Sequence, residues 1–169
     1  MSPEPGVSRG DIASRVTLRP VEEADDKFLL EVYSSTRAEE MTRVPWSAEQ
    51  KQAFVAMQYQ AQKHHYAQQY PRATHDIICL GQAPVGRLYM DRGEERLHIL
   101  DVTILPRFRG SGIGTVLLER ILAEARQAGK PVTIYVESFN PSVRLFGKLG
   151  FERVSEDGFQ WLLQRLPSS

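Results

Sequence analysis

The chain has 169 residues, of which 41% are hydrophobic and 25% are charged, and Lys plus Arg equals Asp plus Glu at 21 each. This length fits one compact domain, and the composition excludes a disordered or fibrous protein. The balanced charge argues against a polyanion-binding domain, so no nucleic-acid partner is expected.

Cysteine usage and hydropathy exclude further classes. Cys79 is the only cysteine, which rules out an intrachain disulfide and a multi-cysteine metal site and favours a reducing cytoplasm. No apolar stretch approaches the roughly 20 residues of a membrane span, and the N-terminus lacks the apolar core of a signal peptide, so no membrane partner is expected. Residues 1–14 are predicted to form a disordered leader.

The first third of the chain predicts one strand and two helices. Period-two alternation over residues 15–20 predicts the strand. Residues 22–40 place apolar side chains at helical spacing behind an acidic start, which predicts the first helix. Ser47 and Gln50 have the spacing of a capping box and predict the start of a second, long helix that ends near Pro71.

The remainder of the chain alternates between segments with the period-two spacing of strands and segments with helical spacing. It predicts three strands in an antiparallel meander, a helix, a strand, a short helix, and one or two final strands. In chain order these elements cover residues 75–80, 83–90, 96–105, 115–129, 132–138, 141–150 and 151–166. Residues 15–166 are therefore expected to form a single α+β domain in which helices cover the faces of a mixed sheet.

Residues 105–114 read LPRFRGSGIG and lie between a strand and a helix. Glycines let a ligand approach the main chain, and N–H groups at a helix start attract anions, so the stretch predicts a phosphate or pyrophosphate site to which Arg107 and Arg109 add charge. A P-loop needs a lysine after its last glycine, and a dinucleotide fingerprint needs G-x-G-x-x-G; neither spacing is present. The alternative is a glycine-rich helix entry without a ligand.

Two separate motifs carry a family resemblance. RGSGIG at residues 109–114 resembles R/Q-x-x-G-x-G/A, the pyrophosphate signature of the GNAT superfamily of acyl-CoA-dependent N-acetyltransferases. FNPSVRLFGKLGF resembles its N-P-A-x-x-L-Y-x-x-x-G-F element, and RVTLRPVEEAD resembles its opening strand. The resemblance spans about residues 15–166 and implies a GNAT-like, mostly antiparallel sheet of six to seven strands flanked by about four helices. Members are often dimers, so it also allows a homodimer.

The resemblance implies acetyl-CoA as cosubstrate and no metal. The glycine turn would hold the pyrophosphate, and the end of the preceding strand would pair with the pantetheine arm and aim the thioester carbonyl at a backbone N–H, a donor that stabilises an oxyanion. The implied CoA-binding residues are Val102, Thr103, Ile104, Arg109, Gly110, Ser111, Gly112, Ile113, Gly114, Thr115, Asn140 and Phe146. An Asn-Pro turn is an equal alternative for Asn140. Phe146 replaces a tyrosine that protonates the thiolate in the family, and it cannot donate a proton.

The general base is sought among His98, Asp101 and Glu137. Period two predicts that His98 shares a face with Val102 and Ile104, whereas Asp101 lies opposite, beside Ile99 and Thr103. His98 titrates in the right range and, by motif offset, falls where some family members carry a glutamate base. The alternatives are a structural or exposed histidine, a polar Asp101 near a strand bulge, and a Glu137 that pairs across the sheet.

The predicted function is an N-acetyltransferase that moves an acetyl group from acetyl-CoA to a primary amine of a small molecule or peptide by direct attack. A non-catalytic acyl-CoA-binding sensor or scaffold is the alternative, because Phe146 lacks the hydroxyl. Candidates for the acceptor site lie on the early helices: Trp46, Tyr59, His64, His65 and Tyr66. A helical stripe of Phe54, Met57 and Ala61 is assigned to the core. His64 and His65 lie on different faces of one helix, so a metal site is not expected there.

Overall fold

The structure is a computed structural model that describes residues 9–167, with side chains from residue 11 onward. Its helices are α1 (Arg9–Arg15), α2 (Asp26–Met41), α3 (Ala48–Gln69), α4 (Ile113–Ala128) and α5 (Val143–Lys148). Its strands are β1 (Val16–Pro20), β2 (Thr74–Leu80), β3 (Ala83–Arg92), β4 (Leu97–Ile104), β5 (Val132–Glu137), β6 (Glu152–Asp157) and β7 (Gln160–Arg165). Short 3-10 turns precede α2 and α4.

The strands form one seven-stranded sheet in the order β1-β2-β3-β4-β5-β7-β6. Every neighbouring pair is antiparallel except β4 and β5, which run parallel. The predicted α+β class, the β2–β3–β4 meander and the seven strands are confirmed. The parallel pair is joined through α4, as a crossover between parallel strands requires.

Part of the predicted leader is folded. Residues 1–8 lie outside the described residues, but the prediction of disorder is wrong for residues 9–14, which belong to α1. Ile12 is 2% exposed in the main core. Arg120 of α4 donates hydrogen bonds to the carbonyl oxygens of Ala13, at 2.6 Å, and Val16, at 2.8 Å. The local sequence does not predict this helix because tertiary packing, rather than intrinsic propensity, stabilises it.

The capping box of α3 is confirmed, but its buried face is shifted from the predicted one. Gln50 N–H donates to Ser47 Oγ at 3.1 Å, and Ser47 N–H donates to Gln50 Oε1 at 3.0 Å. The stripe assigned to the core is wrong, since Met57 is 60% exposed, Ala61 is exposed and Phe54 is only half-buried. Val55 and Tyr59 are buried instead. Apolar spacing misled here because the sheet-facing side of α3 also carries polar residues, described below.

Helices cover both faces of the sheet. The larger core cluster lies against α1 and α4, and includes Ile12, Leu117 and Ile121. The smaller cluster lies under α2 and α3 and consists of Leu29, Tyr33, Tyr59, Ile77 and Cys79. Cys79 is thus a buried strand residue in the second cluster.

Strands β4 and β5 separate soon after they meet. Their register includes Leu97 with Val132, His98 with Thr133 and Ile99 with Ile134, and no later pair. We call the gap between residues 100–104 of β4 and residues 135–137 of β5 the β4–β5 cleft. Along the other edge, β4 remains paired with β3 as far as Ile104. The cleft therefore exposes one main-chain edge of a central strand.

The close packing of β3 on β4 yields a stability prediction. A Cβ atom on Gly86 would overlap the carbonyl oxygen of Thr103 and lie 3.1 Å from Cα of Ile104. We expect Gly86→Ala to lower the free energy of unfolding by about 2–3 kcal/mol, because main-chain atoms of a paired strand cannot move aside. Urea unfolding of the ligand-free protein measures this.

Gly147→Ala is the matched control, because a Cβ at Gly147 in α5 would meet nothing within 4 Å. This change should be neutral or stabilise by up to ~1 kcal/mol through helix propensity. Equal losses for the two variants would contradict the packing argument.

Candidate functional site

A β-bulge marks the apex of the cleft. Tyr89 of β3 pairs with Asp101 and Met90 pairs with Ile99, so Leu100 is an extra residue in β4. An extra residue reverses the side-chain alternation of a strand beyond it. The bulge suggested for the neighbourhood of Asp101 is confirmed.

The bulge overturns the predicted faces of β4. His98 pairs with Asp91 and Asp101 pairs with Tyr89, two residues apart on regular β3, so His98 and Asp101 share one face. The prediction that His98 lies with Val102 and Ile104 is wrong, and Ile99 lies opposite Asp101. Glu137 follows Thr133, the register partner of His98, by four residues on β5, so all three proposed base residues occur on the face that α2 and α3 cover.

The glycine turn presents unpaired main-chain donors. Gly110 and Gly112 have φ angles of +81° and +95°, a conformation that favours glycine. Gly112 is the N-cap of α4, and the first intrahelical bond runs from Val116 N–H to Gly112 O at 3.0 Å. In the described chain, no N–H group of residues 110–115 donates a hydrogen bond to a protein acceptor. These donors and the positive end of the helix dipole suit an anion.

The two arginines of the turn differ in their contacts. Arg109 donates through Nε to the carbonyl oxygen of Ile104 at 2.9 Å, which ties its guanidinium to the end of β4. Arg107 pairs with Glu31 of α2 at 3.2 Å and covers the ring of Phe108. Arg109 is therefore the better placed cation for a ligand in the turn.

The second motif packs directly against the first. A Cβ on Gly114 would lie 3.4 Å from Cδ2 of Leu145 in α5. Asn140 Oδ1 accepts a hydrogen bond from Ser142 N–H at 2.9 Å, as the Asn-Pro turn alternative requires. Phe146 is 1% exposed and packs edge-on against Phe151, so it presents almost no surface to a ligand.

His98 is a buried and weakly basic imidazole. It is 2% exposed, a 2.8 Å hydrogen bond joins its Nδ1 to Thr133 Oγ1, and its ring packs against Tyr70 and Tyr135. Burial, with a smaller contribution from Arg96, lowers the pKa of His98 to about 4. These contacts favour the structural alternative for this residue.

Asp101 is held by a buried arginine. Arg87 of β3 is 3% exposed, and its Nε donates to Asp101 Oδ2 at 2.5 Å while its Nη2 donates to Gln62 Oε1 at 2.6 Å. Thr103 Oγ1 also donates to this carboxylate. Burial acts to lower the pKa of Arg87, but Asp101 outweighs it and leaves that pKa raised. Both carboxylate oxygens are therefore occupied by protein donors.

Glu137 keeps an accessible carboxylate. Its side chain is 40% exposed at the end of β5, and one oxygen lies 3.5 Å from Nη1 of Arg37 in α2. Arg37 also pairs with Glu40 at 3.2 Å and donates through Nε to the hydroxyl of Tyr33. The alternative for Glu137, an ion pair across the sheet, is not what the structure shows: its ion-pair partner is Arg37 of α2, above the sheet.

The acceptor candidates do not form one cluster. Tyr66 donates from its hydroxyl to the carbonyl oxygen of Leu100 at 3.1 Å, at the apex of the cleft. Tyr59 is buried and bonds to Asp26, whereas Trp46 packs on Phe54 and is 41% exposed. His64 and His65 are exposed. Of these candidates, Tyr66 alone is shown in contact with the cleft.

Sequence reasoning missed Arg37 and Arg87. Arg87 stands in the middle of a strand whose neighbours are apolar, and this buried position was a usable signal. Arg37 gives no local signal, because its contact with Glu137 depends on how α2 crosses the sheet. Among the described residues no group of acidic, His and Cys side chains could hold a metal ion, and no helix is both long and apolar enough to cross a bilayer.

Burial of His98 predicts an acid-dependent loss of stability. An unfolded histidine has a pKa of about 6.5, so lowering the pH protonates the unfolded chain before the folded one. The contribution of His98 is complete above about pH 6.5 and is lost between there and its folded pKa of about 4. We expect His98→Gln to reduce the fall in unfolding free energy across this window by on the order of 2 kcal/mol.

Urea unfolding at a series of pH values measures this difference. His75, whose pKa is also lowered to about 4, titrates in both proteins and cancels in the comparison. Parallel curves for the wild type and the variant would contradict the assignment.

Comparisons with known proteins agree with this geometry. Residues 31–151 match the family described as Acetyltransferase (GNAT) family. A curated N-alpha-acetyltransferase of Sulfurisphaera tokodaii is 32% identical over 60 residues, which are 34% of this chain and 36% of that protein. The match thus spans about a third of the relative's length.

Solved structures share the fold at low sequence identity. The PaiA N-acetyltransferase of Thermoplasma acidophilum, in complex with coenzyme A, has a TM-score of 0.67 and 17% identity over 89% of this chain and 98% of its own. An acetyltransferase of Thermus thermophilus has a TM-score of 0.65 and 24% identity over 89% and 96%. The ribosomal-protein-S18-alanine N-acetyltransferase of Escherichia coli has a TM-score of 0.62 and 14% identity over 91% and 95%. With the family match covering most of the sequence, the chain belongs to the GNAT family of acetyltransferases.

Proposed function

We propose that this protein is an acetyl-CoA-dependent N-acetyltransferase that acylates a primary amine of a small molecule or peptide by direct attack. The proposal rests on the N–H groups of residues 110–115, which donate no hydrogen bond to an acceptor in the described chain. They follow the part of β4 whose main-chain edge is not paired with β5. The N–H groups suit a pyrophosphate, and the unpaired edge of β4 suits an extended arm that pairs with a strand. The CoA complex of the fold relative from Thermoplasma acidophilum supports the same cosubstrate.

The residues of the chain fit this cosubstrate. Added Cβ atoms at Gly110 and Gly112 would meet nothing within 4 Å, so the space over the turn is open. Residues 110–115 would hold the phosphates, with Arg109 as the nearby cation, and residues 102–104 would hold the arm. When bound, acetyl-CoA supplies an activated thioester carbonyl.

Glu137 is the best supported general base of the three candidates. An ammonium acceptor must lose a proton to a group that it can reach. His98 is buried and weakly basic, and both carboxylate oxygens of Asp101 accept hydrogen bonds from protein donors. The carboxylate of Glu137 is 40% exposed and bordered by Arg37.

A non-catalytic acyl-CoA sensor is the second candidate. The observation that favours it is Phe146, which has no hydroxyl and is buried against Phe151. Such a protein would bind acetyl-CoA in the same turn and release no thiol in the presence of amines.

Acetyl-CoA binding tests the feature that both candidates share. We expect Gly112→Glu to weaken binding of acetyl-CoA about tenfold or more in calorimetry, because a carboxylate and a side chain would enter the phosphate position. Gly129→Glu is the matched control. Gly129 caps the other end of α4, also with a positive φ and open space, so it carries the same backbone strain and charge away from the turn.

Equal loss of affinity in the two variants, or no binding by the wild type, would overturn both candidates. If the wild type binds, free-thiol release across polyamines, amino acids, aminoglycosides and peptides decides between them. Release with any amine supports the transferase, and no release across the whole panel supports the sensor.

The role of Glu137 gives a kinetic prediction. With an amine that turns over, Glu137→Gln should lower kcat about 100-fold and leave the Kd for acetyl-CoA unchanged, since a positioned base contributes on this scale. Steady-state kinetics and calorimetry measure the two quantities. Glu40→Gln is the control, because Glu40 shares the partner Arg37 but belongs to α2. Similar losses in both variants would show that the arginine network matters and that Glu137 is not the base.

A further inference from the structure

Tyr135 is a half-exposed aromatic residue on a central strand. Its side chain is 45% exposed, although β5 has a paired strand on each side in the sheet. It lies two residues after Thr133, the register partner of His98, and its ring packs edge-on against the His98 ring at 5.5 Å between centroids. Because side chains two residues apart share a face of a strand, Tyr135 lies on the face that α2 and α3 cover. The helix layer is therefore open above this residue.

The opening leaves an apolar surface uncovered beside the cleft. Helix α2 packs on β3 and β4, and the core cluster under α2 and α3 contains no residue of β5 or β7. Leu162 of β7, the half-buried register partner of Tyr135, also lies outside both core clusters of the described chain. Tyr70, which caps the C-terminal end of α3, packs on the same His98 ring at 5.9 Å between centroids. We call Tyr70, Tyr135 and Leu162 the Tyr135 surface.

A carboxylate lies at one end of the Tyr135 surface. Glu137 follows Tyr135 by two residues on the same face, which places the two positions about 7 Å apart along the strand, and the Glu137 side chain is 40% exposed. Arg37 pairs with Glu137 at 3.5 Å and with Glu40 at 3.2 Å. Two carboxylates around one guanidinium leave one net negative charge, which the ammonium group of a ligand complements.

An apolar surface next to a carboxylate discriminates between classes of amine. A polyamine or an aminoglycoside would bring charged or polar groups onto Tyr135 and Leu162, where those groups lose hydration without gaining hydrogen bonds. An aromatic group gains instead, because its own surface and that of the tyrosine rings leave water and rings pack favourably on one another. A linker of about two or three carbon atoms between ring and nitrogen matches the spacing of the two positions.

We propose that Tyr135 is a specificity-determining residue, and that the acceptor is a primary amine whose aromatic group packs on the Tyr135 surface while its ammonium group lies at Glu137. This inference rests on the proposed acetyl transfer and names the class of its acceptor. The ammonium group loses one proton to Glu137, and the nitrogen forms a bond to the acetyl carbon as the bond from that carbon to sulfur breaks. The second proton lost by the nitrogen reaches the departing thiolate through solvent.

Amine binding in the presence of saturating coenzyme A tests the inference without turnover, since coenzyme A carries no acetyl group. In an NMR titration of the full chain, the amide resonances of Tyr135 and Glu137 report binding at this position. We expect phenethylamine to bind at least about tenfold more tightly than ethylamine or putrescine, because only phenethylamine buries a ring. Equal affinities, or tighter binding of putrescine, would overturn the inference.

Two substitutions of Tyr135 isolate the role of its ring. Tyr135→Ala should bring the Kd of phenethylamine to within about threefold of that of ethylamine, whereas Tyr135→Phe keeps the ring and should retain the wild-type difference. Leu18→Ala is the matched control, because Leu18 is 39% exposed on β1 at the far edge of the sheet. Equal losses in Tyr135→Ala and Leu18→Ala would contradict the proposal, as would loss of the difference in Tyr135→Phe. The comparison of amines on the wild type stands even if Tyr135→Ala does not fold.

Turnover and assembly provide two further readouts. With acetyl-CoA, the ratio of kcat/KM for phenethylamine to that for ethylamine should exceed about ten in the wild type and fall to about one in Tyr135→Ala. Lack of coenzyme A binding, measured by calorimetry before any amine is added, would be a failure of the proposed function itself. Sedimentation equilibrium tests a second copy of the chain as the occupant of the Tyr135 surface. A wild-type dimer that Tyr135→Ala dissociates would overturn the inference.

Discussion

The separation of β4 from β5 is the constraint on which the site depends. Two parallel strands at the centre of a sheet normally satisfy each other's main-chain groups along their whole length. Here the register holds for three residue pairs and ends at Ile99 and Ile134. The bulge at Leu100 turns β4 away at that point, and α3 compensates by donating a phenolic hydroxyl to the exposed carbonyl.

The same region contains polar contacts that a hydrophobic core would not need. Arg87 is buried in the middle of the sheet and is neutralised by Asp101 from the adjacent strand. A buried charge of this kind is weak evidence for stability, because its desolvation opposes the attraction between the partners. It does require a specific position for Asp101, next to the bulge. Geometry at the cleft therefore depends on ion pairing and on hydrogen bonds from α3.

The fold followed from the sequence, whereas the details of the site did not. Periodicity and the capping box identified the elements from β1 to β7, because apolar spacing and helix caps are local properties. The period-two prediction of which face His98 occupies was wrong, because the extra residue Leu100 reverses the side-chain alternation of β4. No residue type in the sequence indicates this bulge. Helix α1 was not predicted from the sequence because its stability comes from packing on α4. Arg37 and Glu137 meet only through the crossing of α2 over the sheet.

The contact between Gly114 and Leu145 links the two motifs mechanically. The glycine turn is synthesised before α5, the element that packs beside it. On the ribosome, the emerging turn therefore lacks its contact with Leu145 until the later segment has left the exit tunnel and docked. The proposed cosubstrate site is therefore expected to form only in the completed fold and not in the nascent chain.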